Sequence, residues 1–215
     1  MKHDRSNRIR ELIGQTTVLP VLVIDDAAKA MPLARALADG GLKLIEITLR
    51  TPAALSAIAA IVAALPEIVV GAGTVCHAID ARRAHEAGAR FAVSPGHSME
   101  LGNACAELGL PFLPGVATAS EVMAARNDGY EVLKFFPAEA AGGLEMLDAL
   151  AGPFPDVMFC PTGGINAANA PAYLALSNVL CVGGSWIAPR AEVTAGNWAK
   201  LTELAATAAR LQRGG

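Results

Sequence analysis

One lysine lies within a short run of large apolar residues that ends at a proline, over residues 131–137. A buried parallel strand is normally an almost continuous series of apolar residues, so Lys134 interrupts the pattern. One explanation is a lysine whose amine reaches solvent at a sheet edge along its apolar stem. The other is an amine kept partly out of water, so that its neutral fraction attacks a carbonyl carbon. That chemistry also needs a group that moves protons.

A carboxylate suited to that role lies in the second apolar run of the chain. The alternation of this run puts Glu46 and Arg50 on one face and Ile45 and Ile47 on the other. If the isoleucines meet the helices, Glu46 and Arg50 point toward the interior, where an unpaired charge is costly. The two charges can form a structural ion pair with each other. Alternatively, Glu46 transfers protons for carbonyl chemistry at Lys134.

Other strand ends carry groups that suit a small anionic substrate. Thr74 follows a Gly-Ala-Gly run, and its hydroxyl can bond a substrate carboxylate beside Arg50 or can instead cap a helix. Pro95, in a Ser-Pro-Gly turn, can line the pocket. Two glycine pairs, Gly163-Gly164 and Gly183-Gly184, follow the seventh and eighth apolar runs, where barrel enzymes often hold phosphate on backbone N–H groups. Tight turns are the alternative explanation for these glycines.

The elements that position these residues repeat along the chain. Apolar runs alternate with alanine-rich helical segments, and helix breakers recur roughly every 20 to 25 residues. A short helix is predicted over residues 6–14, and the last helix over residues 192–210. Strands are predicted over residues 17–24, 42–49, 68–74, 91–94, 112–114, 132–136, 157–160 and 179–182. Eight such units without a linker predict an α/β fold, a single (β/α)8 TIM barrel domain over residues 1–215. A doubly wound open sheet is the alternative.

Composition narrows the function classes. The 215 residues are 53% hydrophobic and 17% charged, with a net charge of -3, so there is no basic surface of the kind that binds nucleic acid. No apolar run approaches the roughly 18 residues of a membrane span, and the N-terminus lacks the pattern of a signal peptide. We therefore expect a cytoplasmic protein. The four cysteines and four histidines show no metal-binding spacing, so we expect buried free thiols, no structural metal and no cofactor.

Six motifs together resemble one enzyme family. They are residues 46–51 (Glu-Ile-Thr-Leu-Arg-Thr), 71–75 (Gly-Ala-Gly-Thr-Val), 94–96 (Ser-Pro-Gly), 134–139 (Lys-Phe-Phe-Pro-Ala-Glu), 159–165 (Phe-Cys-Pro-Thr-Gly-Gly-Ile) and 183–186 (Gly-Gly-Ser-Trp). In this order they resemble the 2-keto-3-deoxy-6-phosphogluconate aldolases, over most of the chain. The resemblance implies a Schiff-base lyase on a TIM barrel, a homotrimer of the Entner-Doudoroff pathway. Such enzymes release pyruvate and glyceraldehyde 3-phosphate, and often also cleave 4-hydroxy-2-oxoglutarate to pyruvate and glyoxylate.

The resemblance also implies roles for particular residues. Lys134 is expected to form the Schiff base and Glu46 to act as general acid and base. The pyruvate end of the substrate is expected at Arg50, Thr74, Pro95 and Phe136. The phosphate is expected at Thr162, Gly163, Gly164, Gly183, Gly184 and Ser185. The sequence departs from the family pattern at His97 and around Val116, which affects loop details.

Three alternatives remain at this point. A related group of aldolases that acts on the galactonate epimer tends to carry Glu-Ile-Pro-Leu-Asn where this chain has residues 46–50, so the sequence favours the gluconate substrate. A sugar-phosphate epimerase or isomerase would use Lys134 only electrostatically. A non-catalytic protein would bind a sugar phosphate and release no pyruvate.

Overall fold

The computed structural model describes residues 4–214. The strands are β1 (Val18–Leu22), β2 (Leu44–Thr48), β3 (Val69–Gly73), β4 (Phe91–Val93), β5 (Phe112–Leu113), β6 (Gly115–Val116), β7 (Val132–Phe135), β8 (Met158–Pro161) and β9 (Val182–Gly184). The helices are α1 (Asp4–Ile13), α2 (Ala30–Asp39), α3 (Ala54–Ala64), α4 (Ala78–Glu86), α5 (Met99–Glu107), α6 (Ala119–Asn127), α7 (Gly143–Ala151), α8 (Ala170–Leu174), α9 (Arg190–Ala195) and α10 (Trp198–Ala209). A 3-10 turn, Ala27–Lys29, precedes α2.

The strands close into a barrel. One sheet has the order β5-β4-β3-β2-β1-β9 and the other the order β6-β7-β8, and the paired strands within them are parallel. Parallel bridges from Phe159 to Val179 and from Thr162 to Gly183 join β8 to the β9 segment. β5 and β6 are two parts of one strand position on either side of Pro114. The predicted (β/α)8 barrel, with its short N-terminal helix, is confirmed.

Strand alternation sorts the core into two layers. Side chains such as Ile45 and Ile47 face outward into a large cluster shared with the surrounding helices. Leu44 and Val132, from the opposite faces of their strands, belong to a separate cluster inside the barrel. α1 closes the end of that interior at which the strands begin, with Ile9 and Ile13, both fully buried. The functional end of the barrel is therefore the opposite one, where the strands end.

Helix ends follow local signals that the sequence carries. Gly41, Gly88, Gly109 and Gly129 all have positive φ after helices, where an L side chain would be strained. A capping box at Thr118 starts α6: its hydroxyl accepts from Glu121 N–H, and the Glu121 carboxylate accepts from Thr118 N–H.

Two predicted elements are interrupted in the structure. The fifth strand breaks at Pro114, which has no N–H to donate to a ladder. The single last helix predicted over residues 192–210 is two helices, α9 and α10. Gly196, with φ of 73°, ends α9 by donating its N–H to the Glu192 and Val193 carbonyls. Gly196 therefore directs the chain out of one helix before the next begins.

α3 begins at Ala54, after a turn in which the Thr51 hydroxyl donates to the Ile24 carbonyl. One predicted starting point is wrong. β9 begins at Val182, because residues 179–181 before it contact β8 instead of β1. Within residues 4–214, no helix is long and apolar enough to cross a membrane.

The packing of α1 against the barrel interior generates a stability prediction. Ile13→Ala removes fully buried methyl groups and should lower the free energy of unfolding by about 2–5 kcal/mol. Glu11→Ala is the matched control, because Glu11 is exposed on the same helix, and it should change that free energy by no more than about 0.5 kcal/mol. Urea denaturation followed by circular dichroism measures both. Equal small losses would mean that α1 does not close the barrel.

Candidate active site

Lys134 and Glu46 meet inside the barrel. β7 and β2 are not neighbours in the sheet, yet Lys134 Nζ lies 3.4 Å from Glu46 Oε1. Their side chains are only 5% and 1% exposed. In so little water, each charge is stabilised mainly by the other, and removing one would leave the second buried and uncompensated. The explanation of Lys134 as an edge lysine whose amine reaches solvent is therefore wrong.

Glycines on β3 make room for the Glu46 carboxylate. A Cβ atom on Gly73 would overlap Glu46 Oε1 and lie 2.6 Å from its Cδ. Gly71 similarly makes room for the ring of Phe91. The alternation of β2 predicted that Glu46 points inward. Alternation alone did not predict that β3 needs a glycine beside Glu46, because this depends on the register between β2 and β3.

Arg50 and Thr74 form a second polar contact at the ends of β2 and β3. Arg50 Nε donates to Thr74 Oγ1 at 3.1 Å. Arg50 lies beyond the end of β2 and is exposed, so the expectation that it points along the barrel axis is wrong. In the described part of the chain, no ion pair links it to Glu46. This excludes the structural pair considered above.

Thr74 has an unusual backbone conformation for its residue type. Its φ is 58°, whereas β-branched residues rarely adopt positive φ. It is not the N-cap of α4, because that position is occupied by His77. Strained backbone of this kind tends to occur where a side chain is held for function. Here the strain directs the hydroxyl toward the Arg50 guanidinium.

Phe136 lies near the reactive pair, and Pro95 lies at the barrel mouth. Lys134 Nζ is 5.4 Å from the centroid of the Phe136 ring. Pro95 follows β4 and is exposed, and a Cβ on Gly115 would overlap its carbonyl group. Gly115 therefore allows β6 to approach the Pro95 turn closely. The roles of Pro95 and Phe136 as pocket walls stay predictions.

Two thiols lie among the apolar residues inside the barrel. Cys160 is in register with Lys134 on the neighbouring strand, and its Sγ is 3.4 Å from Cys181 Sγ. The hydrogen bond with Cys160, followed by burial, raises the pKa of the Cys181 thiol. Cys105 is also buried, but Cys76 is exposed, so the expectation of buried thiols is wrong for Cys76.

The two glycine pairs come together across β8 and β9. Thr162, which is buried, forms a bridge with Gly183, and Gly163 and Gly164 have φ values of 100° and 82°. Within residues 4–214, the backbone N–H groups of Gly163, Gly164 and Ser185 donate no hydrogen bond. Free N–H groups at such turns suit an oxygen anion. No helix begins directly after either glycine pair.

Among residues 4–214, no group of three or more His, Cys, Asp or Glu side chains is arranged to hold a metal ion. The arrangement instead has three parts: a buried amine and carboxylate, a guanidinium beside a hydroxyl, and a pair of glycine turns.

Comparison with known proteins shows which family the chain belongs to. The sequence model of the KDPG and KHG aldolase family matches residues 9–204. The chain belongs to the KDPG and KHG aldolase family. The 2-dehydro-3-deoxy-phosphogluconate aldolase of Pseudoalteromonas atlantica is 48% identical over 196 residues, which are 91% of each chain. The KHG/KDPG aldolase of Escherichia coli is 48% identical over 87% of this chain and 88% of its own length.

A solved structure of a KDPG aldolase has the same fold. The enzyme from Legionella pneumophila has a TM-score of 0.91 and 46% identity, covering 93% of this chain and 97% of its own. It holds pyruvate captured at low pH as a covalent carbinolamine intermediate. Family membership thus confirms the resemblance drawn from the motifs.

The close fit of Glu46 against β3 generates a second prediction. Gly73→Ala places a methyl group on the carboxylate and should lower the free energy of unfolding by about 1–3 kcal/mol through overpacking. Gly96→Ala is the matched control, because no atom lies within 4 Å of the added Cβ and φ there is not positive. Thermal and urea denaturation measure both. A Gly73→Ala variant as stable as Gly96→Ala would contradict the packing of Glu46 described above.

Proposed function

We propose that this chain is a class I aldolase that cleaves 2-dehydro-3-deoxy-6-phosphogluconate to pyruvate and glyceraldehyde 3-phosphate. The observation that carries the proposal is the buried Lys134–Glu46 pair, an amine beside a proton-transfer group inside a barrel. The same site is proposed to cleave 4-hydroxy-2-oxoglutarate to pyruvate and glyoxylate, the dual activity that the name of the E. coli relative states.

The first half of the reaction forms the covalent intermediate. A neutral Lys134 amine attacks the C2 ketone, and the new C–N bond yields a carbinolamine once the nitrogen proton moves to the oxygen. Loss of water then gives an iminium ion. Glu46 Oε1, 3.4 Å from Nζ, is placed to carry these protons. The captured carbinolamine of the Legionella relative supports this step.

The second half breaks the carbon–carbon bond. Glu46, directly or through a water, removes the proton of the C4 hydroxyl, and the electron pair of that O–H bond forms the C=O bond of the aldehyde. The C3–C4 electron pair moves into the iminium ion, which becomes an enamine as glyceraldehyde 3-phosphate leaves. Protonation at C3 and hydrolysis then release pyruvate and restore the amine. The low exposure of both side chains favours this sequence, because few waters compete for the protons.

Substrate binding is proposed at both ends of the molecule. Arg50 and Thr74 hold the carboxylate of the pyruvate part, beside walls formed by Pro95 and Phe136. The phosphate lies on Thr162, Gly163, Gly164, Gly183, Gly184 and Ser185. Support comes from the Arg50–Thr74 hydrogen bond and from the free N–H groups of the glycine turns. Two fixed ends hold the C2 ketone against the lysine, which lowers the entropic part of the barrier.

The assembly and location of the enzyme are also proposals. We propose a single-domain protein that forms a homotrimer and works in the cytoplasm without a cofactor. The family resemblance supports the trimer, and exposed Ile79, Met99 and Met123 supply apolar surface on α4, α5 and α6 for subunit contacts.

Trapping experiments test the covalent step. Borohydride added with pyruvate should leave a reduced adduct on Lys134, identified by peptide mass spectrometry, because the reductant captures the iminium ion. Lys134→Ala should lose the adduct and lower kcat/KM at least about 1000-fold. Lys43→Ala is the control, since Lys43 is exposed at the start of β2. The mechanism would be excluded if Lys134 carried no adduct and the Lys134→Ala variant retained full activity.

A coupled assay tests the substrate. Pyruvate release, followed with lactate dehydrogenase, should be faster with the phosphogluconate-derived substrate than with its galactonate epimer, since residues 46–50 match the gluconate pattern. Activity should survive chelation. Conversion of the substrate without pyruvate release, and its loss with chelator, would favour a metal-dependent epimerase. Binding of either phosphorylated acid without pyruvate release would favour a non-catalytic binding protein.

A further inference from the structure

Glu139 joins the turn after β7 to the first glycine pair. Its backbone N–H donates to the Gly163 carbonyl at 3.1 Å, and the preceding N–H of Ala138 donates to the Thr162 carbonyl at 2.8 Å. The side chain lies against the same loop, because a Cβ on Gly164 would come within 2.6 Å of Glu139 Cβ. Glu139 therefore touches the proposed phosphate loop with its backbone and with its side chain.

The carboxylate of Glu139 has a buried partner. Tyr173 of α8 is fully buried, and its hydroxyl donates to Glu139 Oε1. Burial, followed by the hydrogen bond and the charge of Glu139, raises the pKa of Tyr173. The phenol thus remains a hydrogen-bond donor throughout the neutral pH range. Gly143 lies close to the pair, since a Cβ there would be 3.1 Å from the Tyr173 hydroxyl.

The segment between β8 and α8 holds the loop from its other end. Asn169 Nδ2 donates to the Gly164 carbonyl at 3.1 Å, and Asn169 Oδ1 accepts from the Asn166 N–H. Asn169 immediately precedes α8, the helix that carries Tyr173. The Gly163–Gly164 loop is therefore held between Glu139 and the start of α8, and the phenol–carboxylate bond joins these two supports.

The negative charge of Glu139 bears on how the adjacent loop would bind a phosphate. A free carboxylate beside turns that bind a phosphate dianion would repel the ligand. The Tyr173 hydroxyl holds Oε1 toward α8 and offsets part of that charge. Neither residue belongs to the covalent chemistry, and the pair orients groups that do touch the ligand.

We propose that the Glu139–Tyr173 hydrogen bond positions the Gly163–Gly164 loop for the substrate's phosphate, so that both are positioning residues for phosphorylated substrates. The proposal rests on the proposed function. It predicts that loss of the bond weakens use of the phosphorylated acid while the chemistry at Lys134 continues.

Tyr173→Phe removes only the donor. KM for the phosphorylated keto-acid should rise about three- to tenfold, the range expected for one hydrogen bond to a charged group acting through a loop. The second measurement is exchange of the pyruvate methyl hydrogens with deuterated water, followed by NMR. It needs the lysine and the proton-transfer group but no phosphate, and its rate should stay within about twofold of the parent enzyme.

Three further variants make the test specific. Glu139→Gln keeps an oxygen that accepts from the phenol and should keep KM within about twofold of the parent value. Glu139→Ala should raise KM as Tyr173→Phe does, and because Glu139 is exposed this variant serves if Tyr173→Phe fails to fold. Tyr130→Phe is the matched control: it removes the other tyrosine hydroxyl, also buried, which donates to the Gly102 carbonyl. It should change neither measurement.

The outcomes separate this proposal from the proposed function. An unchanged KM in both Tyr173→Phe and Glu139→Ala, or an equal loss of cleavage and exchange, would overturn the positioning role. A parent enzyme that exchanges pyruvate but does not cleave the phosphorylated acid would instead contradict the proposed substrate. A parent enzyme without exchange would contradict the Schiff-base mechanism itself.

Discussion

The pairing of one amine with one carboxylate in a nearly dry interior is the constraint on which the rest of the structure depends. Lys134 and Glu46 come from strands on different sides of the barrel, so only a closed ring of strands brings them together. The closed ring also excludes water, which strengthens every interaction between them. α1 also keeps water out, because its isoleucines fill the end of the barrel at which the strands begin.

Room for this pair is provided by residues that do no chemistry. Gly73 leaves space for the carboxylate, and Gly115 lets the Pro95 turn approach. At the mouth, Arg50 with Thr74 and the glycine turns lie at separate strand ends. Small residues thus determine the shape of the site, while a few charged ones determine its polarity. This division explains why glycines are frequent in the motifs beside the reactive groups.

Much of this could be read from the sequence, because strands buried on both faces have strong periodic signals. Alternation on β2 predicted the inward direction of Glu46, and the apolar neighbours of Lys134 made burial one of two explanations for it. Alternation ends with the strand, so it misplaced Arg50, which lies beyond Thr48 in solvent. Contacts between ordinary residue types far apart in sequence were also hidden: Tyr173 and Glu139 are 34 residues apart and carry no motif spacing. Their meeting depends on the placement of α8.

The paired thiols inside the barrel have a consequence for chemoselectivity. An aldehyde product is electrophilic, and a thiolate near it would compete with the amine by forming a hemithioacetal. The Cys181 thiol donates to Cys160 and is fully buried, and its raised pKa keeps it protonated at physiological pH. A protonated thiol is a poor nucleophile. The barrel can therefore hold the Cys181 sulfur in its interior without adding a thiolate there.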